Sequence, residues 1–111
     1  MEGLFGYLDM AYNHEERCVG TYDKDGVFVD TSLVTDAHKP YETGIEHPLY
    51  NDGVMIIVEY YDTKEDAAEG HERWVKLLTS KELPSQIVDV SSCMAMNLIR
   101  GLDGEQVYER Q

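Results

Sequence analysis

Four histidines, two cysteines and 22 carboxylates are the side chains of this 111-residue chain that could do chemistry. His38 and His47 fall within residues 36–53, with Glu42 and Glu46 close by. A His/carboxylate metal site can be drawn from them. However, no HxH or HExxH spacing is present, and a catalytic zinc site needs three protein ligands in defined geometry. Local hydrogen bonding by polar loop residues is the better account. His71 lies on the apolar stripe of a helix. No Ser, Cys or carboxylate stands at an identifiable spacing from it, so it reads as a satisfied core histidine and not as a general base. Asp23-Lys24-Asp25-Gly26 resembles the start of a calcium loop, yet the further ligands and the glutamate at the twelfth position are missing. Cys18 and Cys93 belong to no CxxC or Cys/His cluster and are expected to be free, buried thiols. The adjacent pair Glu15-Glu16 is weak evidence for acid–base work, which needs opposed environments and a pocket. There is no GxGxxG, GxxxxGK[ST] or GxSxG. The expectation is a protein that is not an enzyme and holds no cofactor or metal.

Charge is the compositional outlier. The chain carries 22 acids and 9 bases, net −13. Residues 1–62 hold 13 acids and 3 bases; residues 63–111 hold 9 and 6. Nucleic-acid binding runs on Lys and Arg meeting phosphate, so direct binding is disfavoured. An anionic membrane surface is disfavoured for the same reason. A basic protein partner fits the charge, as does plain solubility. No apolar run reaches the roughly 18–20 residues that cross a bilayer, and Met1-Glu2-Gly3-Leu4-Phe5 has no basic n-region. A cytoplasmic origin is expected.

The elements that must position these residues are organised around 54–78. Val54 to Tyr61 is rich in β-branched and aromatic residues and predicts a strand buried on both faces or nearly so. Thr63 is a good N-cap, with Asp66 three residues on. Ala67, His71, Trp74 and Leu78 then form an apolar stripe, widened by Ala68 and Val75, which predicts a helix over 64–79. Gly70 lies inside it, either for close approach of a neighbour or merely tolerated. Upstream, residues 17–34 read as a hairpin turning at Asp23–Gly26, with Val27, Val29, Thr31 and Leu33 facing the core. Residues 4–12 predict a first strand or an irregular arm.

Residues 35–53 read as the longest irregular stretch, because Pro40 and Pro48 exclude a regular strand. Long ordered loops are often functional, so 36–53 is the expected contact surface. Its candidate contact residues are Tyr41, Glu42, Glu46, His47, Leu49 and Tyr50, with Tyr108 of the tail added. Asn51-Asp52-Gly53 is a turn into the central strand. After Pro84 comes a short apolar pair, Ile87 and Val88. Ser91 or Ser92 then caps a shorter helix over 92–101. Residues 103–111 are expected to be a tail that frays unless a partner holds it. The sum is a single α+β domain over 1–111: a small antiparallel sheet of three or four strands, packed by one main helix, with a shorter C-terminal helix.

Residues 36–93 also resemble a known group. The carriers are Pro40-Tyr41-Glu42-Thr43-Gly44-Ile45-Glu46-His47-Pro48, Tyr50-Asn51, Ile57-Val58-Glu59 and Tyr61-Asp62-Thr63-Lys64-Glu65, then Ala68, Gly70-His71, Trp74-Val75, Leu83-Pro84 and Asp89-Val90-Ser91. This pattern is similar to a group of small proteins encoded by tailed bacteriophages and prophages. The resemblance implies a viral source and synthesis in the host cytoplasm. It carries no catalytic residue across. Three functions compete. The first is a virion structural or accessory protein, on the capsid or at the head and neck, contacting phage structural proteins and compatible with a homo-oligomer. The second is an acidic inhibitor, a nucleic-acid mimic that occupies a basic host defence or nucleic-acid enzyme. The third is an enzyme or small-ligand binder centred on His71 or His47. Acids gathered on one face favour the mimic; acids scattered evenly beside an exposed apolar patch from Tyr41, Tyr50, Tyr60 or Tyr108 favour assembly.

Overall fold

A computed structural model describes residues 17–34, 39–91 and 106–111. Strands β1 (Cys18–Lys24), β2 (Val27–Leu33), β3 (Tyr41–Glu46) and β4 (Ile56–Tyr61) form an antiparallel meander in that order. Helix α1 (Lys64–Leu78) packs across one face of this sheet and touches all four strands. Strands β5 (Gln86–Asp89) and β6 (Gln106–Glu109) pair with each other. The Val90 amide donates to the Ile57 carbonyl, which ties this second ribbon to β4. The α+β class, the antiparallel sheet and its single main helix are as the sequence predicts. The arm at 4–12 and the helix at 92–101 lie outside the described residues.

The β1–β2 hairpin follows from its turn. Asp25 and Gly26 both adopt positive φ, 55° and 83°, the two-residue geometry whose twist matches paired strands. Lys24 and Val27 close it. Val29 and Thr31 are fully buried on the helix-facing side, as their alternation predicts.

Two corrections concern β3 and β4. Residues 41–46 form a strand, not part of an irregular loop. Pro40 and Pro48 flank this six-residue run without entering it, so neither removes a ladder hydrogen bond. Strand β4 begins at Ile56, leaves Val54 and Met55 exposed, and buries Ile56, Val58 and Tyr61. Its register slips between Thr43↔Glu59 and Gly44↔Ile57, leaving Val58 as an extra residue. A bulge of this kind resets which face a strand presents. Ile56 and Val58 therefore join the core before the slip, and Glu59 and Tyr61 turn to the helix after it. That change of parity is why the run lacks a clean alternation.

Helix α1 starts where Thr63, in extended conformation, accepts the Asp66 amide at 3.1 Å. It stops where the Thr79 hydroxyl turns back to the Val75 carbonyl, at 2.7 Å. Ala67, His71 and Leu78 are buried and Trp74 half-buried, while Ala68 is exposed. The core joins Val29, Ile45, Tyr50, Ile56, Val58, Leu78 and Ile87. Each such apolar side chain contributes roughly 1.5–3 kcal/mol on burial.

The tail is also corrected. Gln106–Glu109 pair with β5. The Arg110 amide then donates to Ser85, and the Gln111 amide to Leu49, both at 2.8 Å. The chain's own backbone holds these residues, so no partner is needed to order them.

Candidate functional site

Two constellations deserve the name of site: a buried polar chain under α1, and one end of the molecule where the 47–55 loop meets β6.

The polar chain draws on four elements. Register sets Thr31 of β2 beside Thr43 of β3, and Thr43 beside Glu59 of β4. Thr31 Oγ1 lies 2.8 Å from His71 Nδ1 and 2.6 Å from Thr43 Oγ1. Thr43 Oγ1 lies 2.9 Å from the Tyr61 hydroxyl, which donates to Glu59 Oε1 at 3.0 Å. Trp74 Nε1 donates to the same oxygen at 2.8 Å, and Arg73 reaches both carboxylate oxygens at 3.2 Å.

Proton counting fixes every direction. A hydroxyl has one proton. Tyr61 gives its own to Glu59, so Thr43 must donate to Tyr61. Thr31 must then donate to Thr43, which leaves His71 Nδ1–H as donor to Thr31. The chain runs one way, from the helix through three strands to Glu59. Two glycines make room for it. A Cβ on Gly20 would stand 2.6 Å from the His71 ring, and one on Gly70 would overlap the Tyr61 ring.

Burial pushes the His71 pKa down, against the opposing pull of Glu72 and Asp30. Tyr61 is pushed up to about 12, chiefly by burial. At Glu59 burial acts upward, but hydrogen bonds from Trp74, Arg73 and Tyr61 outweigh it and hold the carboxyl below its usual range. These are the marks of a satisfied structural network. No buried side-chain N or O atom among the described residues lacks a partner. His71 is thus a core histidine, as its place in the stripe predicts, with a hydroxyl partner that spacing could not reveal.

The second constellation is at one end. Asn51, Asp52 and Gly53 take φ of 50°, 53° and 82°, a left-handed turn. Asn and Asp are the non-glycine residues that enter this region most readily, through local side-chain hydrogen bonds, and Asn51 Nδ2 donates to the Val54 carbonyl at 3.4 Å. The turn and β6 together line an open groove of about 850 Å³ with Gln86, Tyr108, Glu109 and Arg110. Gln111 Nε2 clasps Asp52 Oδ1 at 3.0 Å, and Arg110 Nη1 reaches the Leu83 carbonyl at 2.9 Å. The Tyr50 hydroxyl donates to the Pro84 carbonyl. Val54, next to the turn, is 61% exposed and Val107 of β6 is 49% exposed.

The predicted contact residues divide accordingly. Tyr50 is fully buried and anchors the core; it presents no surface. His47 is buried edge-on against Tyr50, its Nδ1 accepting the Leu49 amide at 3.1 Å, and burial lowers its pKa. Tyr41, Glu42 and Glu46 are half-buried strand residues of β3. Leu49 and Tyr108 are half-buried against the core beside the groove. The exposed residues of this end, Val54, Met55 and Val107, were not singled out from sequence. A turn signal at Asn51-Asp52-Gly53 followed by an apolar pair was the available clue.

No group of three or more His, Cys, Asp or Glu that could hold a metal occurs among the described residues. Cys18 is a free, half-buried thiol; Cys93 lies outside them. No described helix is long and apolar enough to cross a membrane. Comparison with protein-family models, curated proteins and solved structures finds no match to this chain.

Proposed function

We propose that this chain is a non-enzymatic protein-binding module, acting as a structural or accessory component of a phage particle through the end formed by residues 47–55 and β6. The observation that carries the reading is Val107, exposed in the lining of an open groove, with Val54 exposed just past the turn whose Asn51 and Asp52 line the same groove. Apolar side chains bordering a groove suit a protein contact. Among the described residues the exposed acids are spread over several elements. Asp23 and Asp25 sit at the hairpin tip, Asp52 at the groove, Glu65, Glu69 and Glu72 on the outside of α1, and Glu109 on β6. That spread, with Val107 exposed at the groove, supports assembly over nucleic-acid mimicry, although the tyrosines expected to form an apolar patch are buried or half-buried. The phage setting comes from the resemblance of residues 36–93.

Mass spectrometry of gradient-purified particles tests this, with wild type beside a Val54→Asp/Val107→Asp variant. Wild type should be present in many copies and the variant depleted at least tenfold, with an unchanged thermal melt. Absence of the wild-type protein from particles would overturn the virion reading and make the acidic inhibitor the working one.

A further inference from the structure

We propose that the groove beside β6 takes an extended, basic segment of the partner, which adds to the sheet as a strand. This rests on the reading above and specifies its mode of recognition. Strand β6 pairs with β5 on one side; no other described strand pairs with it. Alternate residues of an antiparallel strand direct their N–H and C=O groups away from the partner strand. Among the described residues those of Val107 and Glu109 face outward as an edge, the next outward amide, Gln111, being taken by the Leu49 carbonyl, and such an edge templates another extended chain. Side chains of the added strand would alternate between the groove and solvent.

What lines the groove sets their chemistry. Val107 and the half-buried Tyr108 offer apolar contact. Asp52 and Glu109 supply two carboxylates. Arg110 also lines the groove, but its guanidinium is turned back onto the Leu83 carbonyl. An incoming segment that alternates apolar side chains with Lys or Arg matches this lining. The net charge of −13 draws such a segment in. A four-residue edge forms few backbone hydrogen bonds, so a single contact is weak. Many copies on a common lattice raise the avidity without new contacts.

The probe is the peptide Ac-Lys-Val-Lys-Val-Lys-Val-Lys-NH2, titrated into the full chain and followed by amide shifts in NMR. Its N-methylated form and the analogue with Glu for Lys serve as controls. Expected are shifts concentrated on Asn51, Asp52 and Gln106–Gln111. N-methylation should weaken binding at least tenfold. The Asp52→Asn/Glu109→Gln variant should weaken it severalfold, with unchanged helicity. No binding at millimolar peptide, shifts centred elsewhere, or equal binding of either control overturns strand addition. Such a result would leave a particle role intact, because copy number in particles is read separately.

Discussion

At the scale of single residues, the direction of the polar chain is the sharpest consequence of the structure. His71 must carry its proton on Nδ1 when neutral, since every downstream hydroxyl has already spent its own. Nitrogen-15 shifts of the His71 ring should report that tautomer; an Nε2–H form would break the chain's logic. Thr43→Val removes the donor to Tyr61 and the acceptor of Thr31 together. It should destabilise the fold by about 1–3 kcal/mol, the cost of orphaning a buried polar group. Thr31→Val/Thr43→Val should cost less than the sum of the singles, because the two share one network. Denaturant melts of the three variants measure both quantities. This network was not legible in the sequence. Thr31, Thr43, Glu59, Tyr61 and His71 come from four elements, and the Thr31–His71 contact spans 40 positions. The available trace was indirect: a threonine on an apolar strand face and a histidine on an apolar helix face.

At the scale of elements, local signals were read well and long-range ones poorly. The hairpin turn at Asp25-Gly26 and the Thr63 cap are written in adjacent residues, and both elements formed as predicted. Strand β3 is hidden in the sequence because prolines mark both its ends, and proline forbids a strand only where it interrupts the ladder. Strand β6 was missed because its partner β5 lies some 20 positions upstream. The seating of α1 on β4 gives a test with an unusual sign. Gly→Ala inside a helix ordinarily stabilises by about 1 kcal/mol. At Gly70 the added methyl would overlap the Tyr61 ring, where the neighbour is a packed aromatic and not a flexible tip. Gly70→Ala should therefore lower the melting temperature, and a rise would mean that helix and strand are further apart than described.

Across the whole molecule, buried titratable groups set a pH window. His71 and His47 have pKa values depressed below 6.5, so the unfolded chain binds more protons near that pH. Their stability contribution is full above 6.5 and is lost as pH falls toward their folded values. Glu59, depressed below 4.5, adds a second loss further down. Tyr61 acts with the opposite sign. Its pKa is raised from 10.0 to about 12, so stability is full below 10 and is lost as pH rises through that interval. Urea midpoints should be highest between about pH 7 and 10 and fall on both sides. Tyr61→Phe should flatten the alkaline limb, leaving the part that Tyr50 carries, and should shrink the acid loss at Glu59, which gives up one of the hydrogen bonds that depress its pKa.

The clasp at the groove has a consequence for the order of events in folding. The meander closes over short spans, with Thr31 and Thr43 only 12 positions apart, whereas Gln111 meets Asp52 across 59. Closing the longer loop costs about 1.4 kcal/mol more in chain entropy, as (3/2)RT ln(59/12). Few buried contacts repay that cost, since Asp52, Arg110 and Gln111 are exposed. The clasp should then behave as its own foldon, opening many times for each global unfolding. Amides of Arg110 and Gln111 should exchange with solvent deuterium well before those of Thr43 and Ile45. A partner settling into the groove would close the most labile part of the fold, so that docking completes folding locally and is read as slowed exchange at those two amides.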